Sequence, residues 1–317
     1  MSQPPARYSV YGLTVGSEFD LPELRPASPE GGVDVTIGLA DLDPAVGSDT
    51  DPGAQRVDAT PTRCRLTYDS IGTFLIEAGG RIRCDPASEG SETHKIFRRI
   101  LENQAMTVLL LQRGLLVLHA SAAVIDGTAV VFVGERTTGK STTTAAFHRE
   151  GYPMLADDVV AIRFGDGRPT VVPGVPQIRL SPEAADELAL DPVRSYDNDW
   201  GVEKVYYPIE AQADAAPLGA IYSLEEANDV GIEAFEGSTP FFELVTNTYA
   251  QGLLPDTRTT ADHFDQCSRV VASTPVRQLR RPKRFDRLPE AVDLVAADVR
   301  DASERANTST HFVPDRQ

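Results

Sequence analysis

Over the first ninety residues, short segments with apolar side chains at alternate positions predict strands, because that period of two suits a half-buried sheet. Residues 8–13 (Y-S-V-Y-G-L) alternate in this way, and residues 33–39 form a second candidate. Arg63–Tyr68 and residues 72–78 flank a short polar turn, and residues 81–84 follow as a further strand. The Pro-, Gly- and Asp-rich stretches 26–32 and 41–53 read as connections. The expectation is a β-rich N-terminal module over residues 1–90 that supports the core or presents substrate. The period then lengthens. Ile96, Ile100, Ala105, Met106, Leu109 and Leu110 line one face of a helix from about His94 to Arg113, with Ser91 or Thr93 as its cap and Gly114 as its end.

Two apolar strands come next, residues 115–125 and Thr128–Val133, around Asp126-Gly127, a strong two-residue hairpin signal. The second strand runs into residues 134–142, G-E-R-T-T-G-K-S-T, and then into a helix over Lys140–Arg149. Gly151 and Pro153 stop that helix. Residues 151–160, G-Y-P-M-L-A-D-D-V-V, end in an apolar strand bearing two adjacent carboxylates. A hairpin around 165–167, a proline-broken extended stretch over 171–180 and a short helix opened by Ser181-Pro182 follow. Residues 191–201 are polar, hold the only Trp and read as a loop. Residues 217–224 form a buried-type strand, and helices are expected over about 239–248, 260–272 and 288–299. The polar tail 301–317 is expected to be disordered. Strands alternating with helices make the class α/β.

The chemistry concentrates at residues 134–142. Strand, glycine-bounded loop, Lys-Ser and helix form the context of a phosphate-binding loop. Gly134 permits a sharp turn off the strand. The loop's N–H groups can then converge on phosphate oxygens at the positive end of the helix dipole. Gly134, Thr137, Thr138, Gly139, Lys140, Ser141 and Thr142 are the candidate nucleotide-binding residues. Lys140 would reach the β- and γ-phosphates, and the Ser141 hydroxyl would ligate Mg²⁺. Strands rarely carry Asp, so Asp157 and Asp158 on one strand suit metal coordination plus a base for a hydroxyl. Taken alone, His119 in L-V-L-H-A-S reads more readily as a core histidine with one hydrogen bond. Lys204, in V-E-K-V-Y-Y-P, is either a second cation for a phosphoryl group in transit or a surface lysine on an edge strand.

Composition narrows the setting. The chain has 317 residues, is 41% hydrophobic and carries a net charge of −17, enough for a large core of one or two domains. Only Lys95, Lys140, Lys204 and Lys283 are lysines, so a lysine at any position is informative. The acidic, Arg-over-Lys balance suggests a high-salt cytoplasm or a GC-rich genome, the charge favouring the former, and argues against nucleic acid or anionic membranes as partners. No apolar run has the length of a membrane span and no signal-peptide pattern is visible, which leads us to expect a cytoplasmic protein. Cys64, Cys84 and Cys267 lack metal-site spacing and read as small apolar residues, with Cys64 and Cys84 on neighbouring strands. Six basic residues within 277–287 either meet a phosphate or counter nearby carboxylates, and the second reading is the plainer.

Four motifs in this order, Leu118-His119-Ala-Ser121, the hairpin, the 134–142 loop and G-Y-P-M-L-A-D-D, resemble the catalytic part of HPr kinase/phosphorylase, and more closely the shorter HPr-kinase-like proteins. Weaker likeness extends over roughly residues 90–300. The resemblance implies a P-loop kinase domain over 91–300 with a mixed sheet, on the fold shared with ATP-dependent phosphoenolpyruvate carboxykinase. It implies that Gly134, Gly139 and Lys140 bind ATP phosphates, and that Ser141 and one Asp hold Mg²⁺. His119 and the Asp pair would then orient and deprotonate the acceptor hydroxyl. Asp157 is assigned to the metal side and Asp158 to the base, an order the residues themselves leave open. Well-known relatives are hexamers, so a homo-oligomer is implied. Where the bifunctional enzymes have a Gly-rich, Arg-containing loop, this chain has V-V-P-G-V-P-Q-I-R over 171–179, which removes the support for phosphorolysis and for HPr as substrate.

The expected activity is Mg-ATP-dependent phosphoryl transfer to a hydroxyl, serine foremost, on a peptide or protein. Its rivals are a small-molecule kinase acting on free serine or a sugar, and a non-catalytic ATP-sensing module.

Overall fold

Eight strands between Ala6 and Pro86 build the first sheet: β1 (Ala6–Val10), β2 (Leu13–Ser17), β3 (Arg25–Pro26), β4 (Val35–Leu39), β5 (Gln55–Thr60), β6 (Arg63–Tyr68), β7 (Gly72–Glu77) and β8 (Arg81–Pro86). The structure is a computed structural model that describes residues 5–46, 55–88, 90, 94–190, 205–249, 251–253 and 259–310. The strand order is β3-β1-β2-β4-β8-β7-β6-β5. Residues 8–13 are not one strand. Tyr11 and Gly12, at φ 54° and 69°, make a tight turn that folds β1 onto β2. Tyr11 tolerates the left-handed backbone because its ring is buried and its N–H donates to Pro173 O at 2.7 Å. The unexpected strand β5 is an edge with no fully buried residue, so it carries little apolar signal. Cys64 and Cys84 are buried and free, but they lie on β6 and β8 with β7 between them rather than on neighbouring strands.

The helix expected over His94–Arg113 is a composite. α1 (Lys95–Ile100) and α2 (Met106–Gln112) are joined by a π-helical turn, Leu101–Ala105. The wider turn shifts the phase of the helix and places Glu102 and Asn103 in buried positions. One apolar cluster joins Val15 and Phe74 of the first sheet, Phe97 and Leu109 of the helix, and Val117, Val159 and Val172 of the strands beyond it. The first sheet and the second therefore share a core through this helix.

The second sheet contains β9 (Leu116–Ile125), β10 (Thr128–Val133), β11 (Met154–Arg163), β12 (Thr170–Val172), β15 (Ala216–Glu226), β16 (Gly231–Ala234) and β17 (Val276–Arg281). β13 (Gln177–Leu180) and β14 (Val205–Pro208) pair separately. β15 runs parallel to β10 and β17 and antiparallel to β12, so the order β10-β9-β11-β12-β15 curls back until β15 meets β10. The fold is mixed α/β. Asp126 (φ 48°) and Gly127 (φ 79°) turn β9 into β10 as their sequence demands.

α3 (Lys140–Arg149) packs on one face of this sheet, with Phe147 against Phe132. The other face meets α5 (Thr239–Thr246) and the helix Thr260–Ser273 through Leu244, Cys267 and Val270. Gly151 (φ 90°) closes α3: its N–H reaches His148 O and that of Tyr152 reaches Phe147 O, the paired bonds of a Schellman cap. α4 (Pro182–Glu187) starts where Ser181 Oγ accepts from the Ala184 N–H at 3.2 Å. The last helix, Leu288–Thr310, runs past the expected end at Val299 and through much of the stretch expected to be disordered. Residues after 300 alternate no apolar face, so the pattern could not carry the helix forward. No helix among the described residues is long and apolar enough to cross a membrane.

Candidate active site

β10 ends at Val133 and the chain turns at Gly134, whose φ of 139° is open only to glycine. A Cβ there would lie 3.2 Å from Leu224 O. Thr137 (φ 69°) and Gly139 (φ 92°) complete the bend, and Gly139 becomes the N-cap of α3. No acidic residue occupies the first turn of α3, so its positive end is uncompensated there. Lys140 is 8% exposed and folds back over the loop, donating to Gly134 O at 2.8 Å and Glu135 O at 3.1 Å. Thr138 Oγ1 donates to Glu135 O, and Thr142 sits half-buried in the first turn of α3.

Ser141 Oγ donates to Asp157 Oδ1 at 2.8 Å, and the Arg179 N–H donates to Asp157 Oδ2 at 2.9 Å. Asp157 therefore faces α3. Alternation along β11 would send Asp158 to the opposite face, with its register partner Ala120 and with Val160. Instead Asp158 has φ 70°, and its carboxylate lies beside His119 and Asn103. His119 Nδ1 is 3.1 Å from Asp158 Oδ1, and Asn103 Nδ2 donates to Oδ2 at 2.8 Å. A left-handed aspartate costs on the order of 1–3 kcal/mol, which the surrounding contacts offset. The strain brings both carboxylates to one side. Burial pushes the Asp158 carboxyl up, but the His119 hydrogen bond and charge, with the Arg179 and Arg99 guanidiniums, outweigh it and hold the group below its ordinary value.

The structure thus brings together Gly134, Lys140, Ser141, Asp157, Asp158 and His119. Lys204 lies outside the described residues. Three residues that the sequence reading missed complete the assembly. Asn103 arrives through the π-turn. Asn247, just after α5, accepts from the Gly134 N–H through Oδ1 at 2.9 Å and from the His119 N–H through its carbonyl at 2.7 Å. It ties the start of the loop to the histidine strand. Arg281 leaves the basic island to donate to Thr138 O at 2.9 Å and Gly139 O at 3.2 Å from behind the loop. Other arginines of that island pair with carboxylates: Arg277 with Asp298, Arg280 with Glu233, Arg284 with Asp286 and Arg287 with Glu290. A Cβ on Gly139 would fall 2.4 Å from Arg281 Nη2, so Gly139→Ala should expel the guanidinium or distort the loop. Its expected result is a loss of Mg-ATP affinity of at least about tenfold, read by calorimetry; unchanged affinity would show that the loop geometry does not matter for binding.

No protein-family model and no curated protein matches the chain. Among solved structures it is similar to the HPr(Ser) kinase/phosphatase from Coxiella burnetii, with 16% identity and a TM-score of 0.35 over 62% of this chain and 98% of that one. A likeness that distant carries no weight for the chemistry, which has to come from the site.

Proposed function

We propose that the chain is a P-loop kinase of the kind the sequence motifs resemble, with the carboxykinase-like core, moving the γ-phosphoryl group of Mg-ATP to a hydroxyl on a peptide or protein. One observation carries this reading. Two sequence neighbours, Asp157 and Asp158, are turned to one side of their strand, the first bonded to the loop serine and the second to a histidine and an amide. That supports a division between a phosphate side and an acceptor side.

Lys140 and the loop N–H groups at the head of α3 would bind the phosphates, and the Asn247 and Arg281 contacts keep the loop in shape. Ser141 and Asp157 offer a hydroxyl and a carboxylate oxygen, the hard donors that suit Mg²⁺. No cluster of three or more His, Cys, Asp or Glu groups makes a metal cage among the described residues, and Mg²⁺ needs none when phosphate oxygens and waters fill its shell. Bound there, the ion would neutralise charge on the β- and γ-phosphoryl oxygens. Asp158 takes the acceptor's proton as the acceptor oxygen bonds to the γ-phosphorus. The bond from that phosphorus to its bridging oxygen breaks, and the electron pair leaves with ADP. His119 would orient Asp158 through its Nδ1 contact.

The direct test is transfer from γ-labelled Mg-ATP into a lysate of the source organism at high potassium chloride. Label on a macromolecule supports the reading. Label only on metabolites moves the acceptor to a small molecule. Tight Mg-ATP binding with no transfer favours a sensing module.

Two expectations concern the base. Asn103→Ala removes a donor to a charged acceptor, an interaction worth about 1.5–3 kcal/mol. It should slow turnover by at least about tenfold and leave the KM for ATP unchanged; an unaltered kcat would mean that His119 alone positions Asp158. The second concerns pH. The folded Asp158 titrates below the ordinary value of 3.8, so its ionised form stabilises the fold above the unfolded pKa, and that stability is lost as pH falls through the folded one. The Tm difference between wild type and Asp158→Asn should therefore change only below about pH 4. A change centred near pH 6 in thermal unfolding would contradict it.

A further inference from the structure

Arg99 on α1 and Arg179 on β13 both stack on the ring of Tyr206 in β14, with guanidinium carbons 5.5 and 5.7 Å from its centroid. The ring is buried and gives both planes a rigid platform. Neither guanidinium makes an ion pair or a hydrogen bond with any described residue, and Arg179 Nε is buried without a partner. That is unusual use of arginine in so acidic a chain. The neighbouring Arg98 is committed to Glu23 through both Nε and Nη2. The Arg179 backbone N–H donates to Asp157 Oδ2 at 2.9 Å, which sets that arginine beside the Asp pair, while neither guanidinium bonds to either carboxylate. Each guanidinium brings five N–H donors in a planar fork that matches a carboxylate or phosphate.

The position favours the acceptor over the nucleotide. The phosphate loop already has Lys140, its own N–H groups and the helix end. Arg99 belongs to the helix that carries Asn103 onto Asp158, the residue proposed as the base. An anion approaching a chain of net charge −17 also needs a local cation to offset the long-range repulsion. We infer that Arg99 and Arg179, held by Tyr206, form an oxyanion subsite, and that the acceptor carries a carboxylate or phosphate group beside its reacting hydroxyl. This inference deepens the kinase reading and rests on it.

The test is calorimetric titration of malonate into the full-length protein at fixed ionic strength, with and without saturating Mg-ADP, and of inorganic phosphate with Mg-ADP present. The expected result is saturable binding of at least one anion, weakened at least about tenfold in Arg99→Gln/Arg179→Gln while Mg-ADP affinity holds. Malonate binding points to a carboxylate on the acceptor, and binding of phosphate alone to a phosphorylated one. Tyr206→Leu keeps both charges but removes the platform, so it should weaken the same anion several-fold. Arg99→Gln by itself, at a half-buried position, keeps the test readable if the double variant fails to fold. Equal affinity in wild type and variants, or no anion binding by wild type, overturns the subsite. Arginine-dependent malonate binding by a protein that does not bind Mg-ADP would sink the kinase reading and leave the subsite standing.

Discussion

Lys140→Met should lower phosphoryl transfer by about 10²–10³-fold, with the fold retained. The methionine keeps the unbranched stem in a position that is 8% exposed, so the packing loss is small. The charge is what disappears. In a loose transition state the γ-phosphoryl oxygens carry the spread charge, and the protein's task is to neutralise it in place. On the kinase reading Lys140 is pre-set for this, because Gly134 O and Glu135 O hold its ammonium against the loop's own backbone. Those same contacts make a second effect measurable. Removing the donor leaves the buried Gly134 O short of a partner, at about 1–3 kcal/mol, while Glu135 O keeps the Thr138 hydroxyl, so the loop should also loosen. Hydrogen exchange would report this as faster opening over 134–139, with the global unfolding temperature lowered by only a few degrees. Transfer within threefold of wild type in a folded Lys140→Met protein would remove Lys140 from the chemistry.

Parts of this arrangement are legible in the sequence wherever local chemistry has one solution. Asp126-Gly127 admits a two-residue turn, Gly139-Lys140 opens a helix, Gly151 closes it, and Ser181-Pro182 starts the next. The hairpin, α3 and α4 follow from those residues alone. What escapes depends on partners distant in the chain. Tyr11 continues an alternating pattern, and only its bond to Pro173 and its buried ring explain why the chain reverses there. The π-turn has no sequence signature of its own, so Asn103 reads as one more polar helical residue rather than a contact of Asp158. Asn247 and Arg281 lie 113 and 143 residues from the loop atoms they hold. The basic island was visible, but which of its members leaves the surface is decided by the pairing of β17 with β15. The same limit applies to Asp158. Adjacent carboxylates on a strand predict opposite faces, and the left-handed backbone that reunites them is a property of the assembled site.

That backbone makes Asp158→Asn the most discriminating substitution. Asparagine tolerates the left-handed region about as well as aspartate, so the φ of 70° should survive. It is nearly isosteric, and its carbonyl oxygen can still accept from Asn103 or His119. Geometry is therefore conserved while the ability to take a proton is lost. General-base catalysis is worth about 10²–10⁴-fold, and transfer to the acceptor should fall by that amount with Mg-ATP affinity within a few-fold of wild type. Asp157→Asn should behave differently. Its carboxylate faces Ser141 and the Arg179 N–H, so the loss should appear as a higher Mg²⁺ requirement that excess Mg²⁺ partly rescues. The pair of variants assigns two roles that the residue types leave interchangeable. If Asp158→Asn is the variant rescued by Mg²⁺ and Asp157→Asn is not, the assignments exchange. If both transfer normally, the Asp pair is not where the hydroxyl loses its proton.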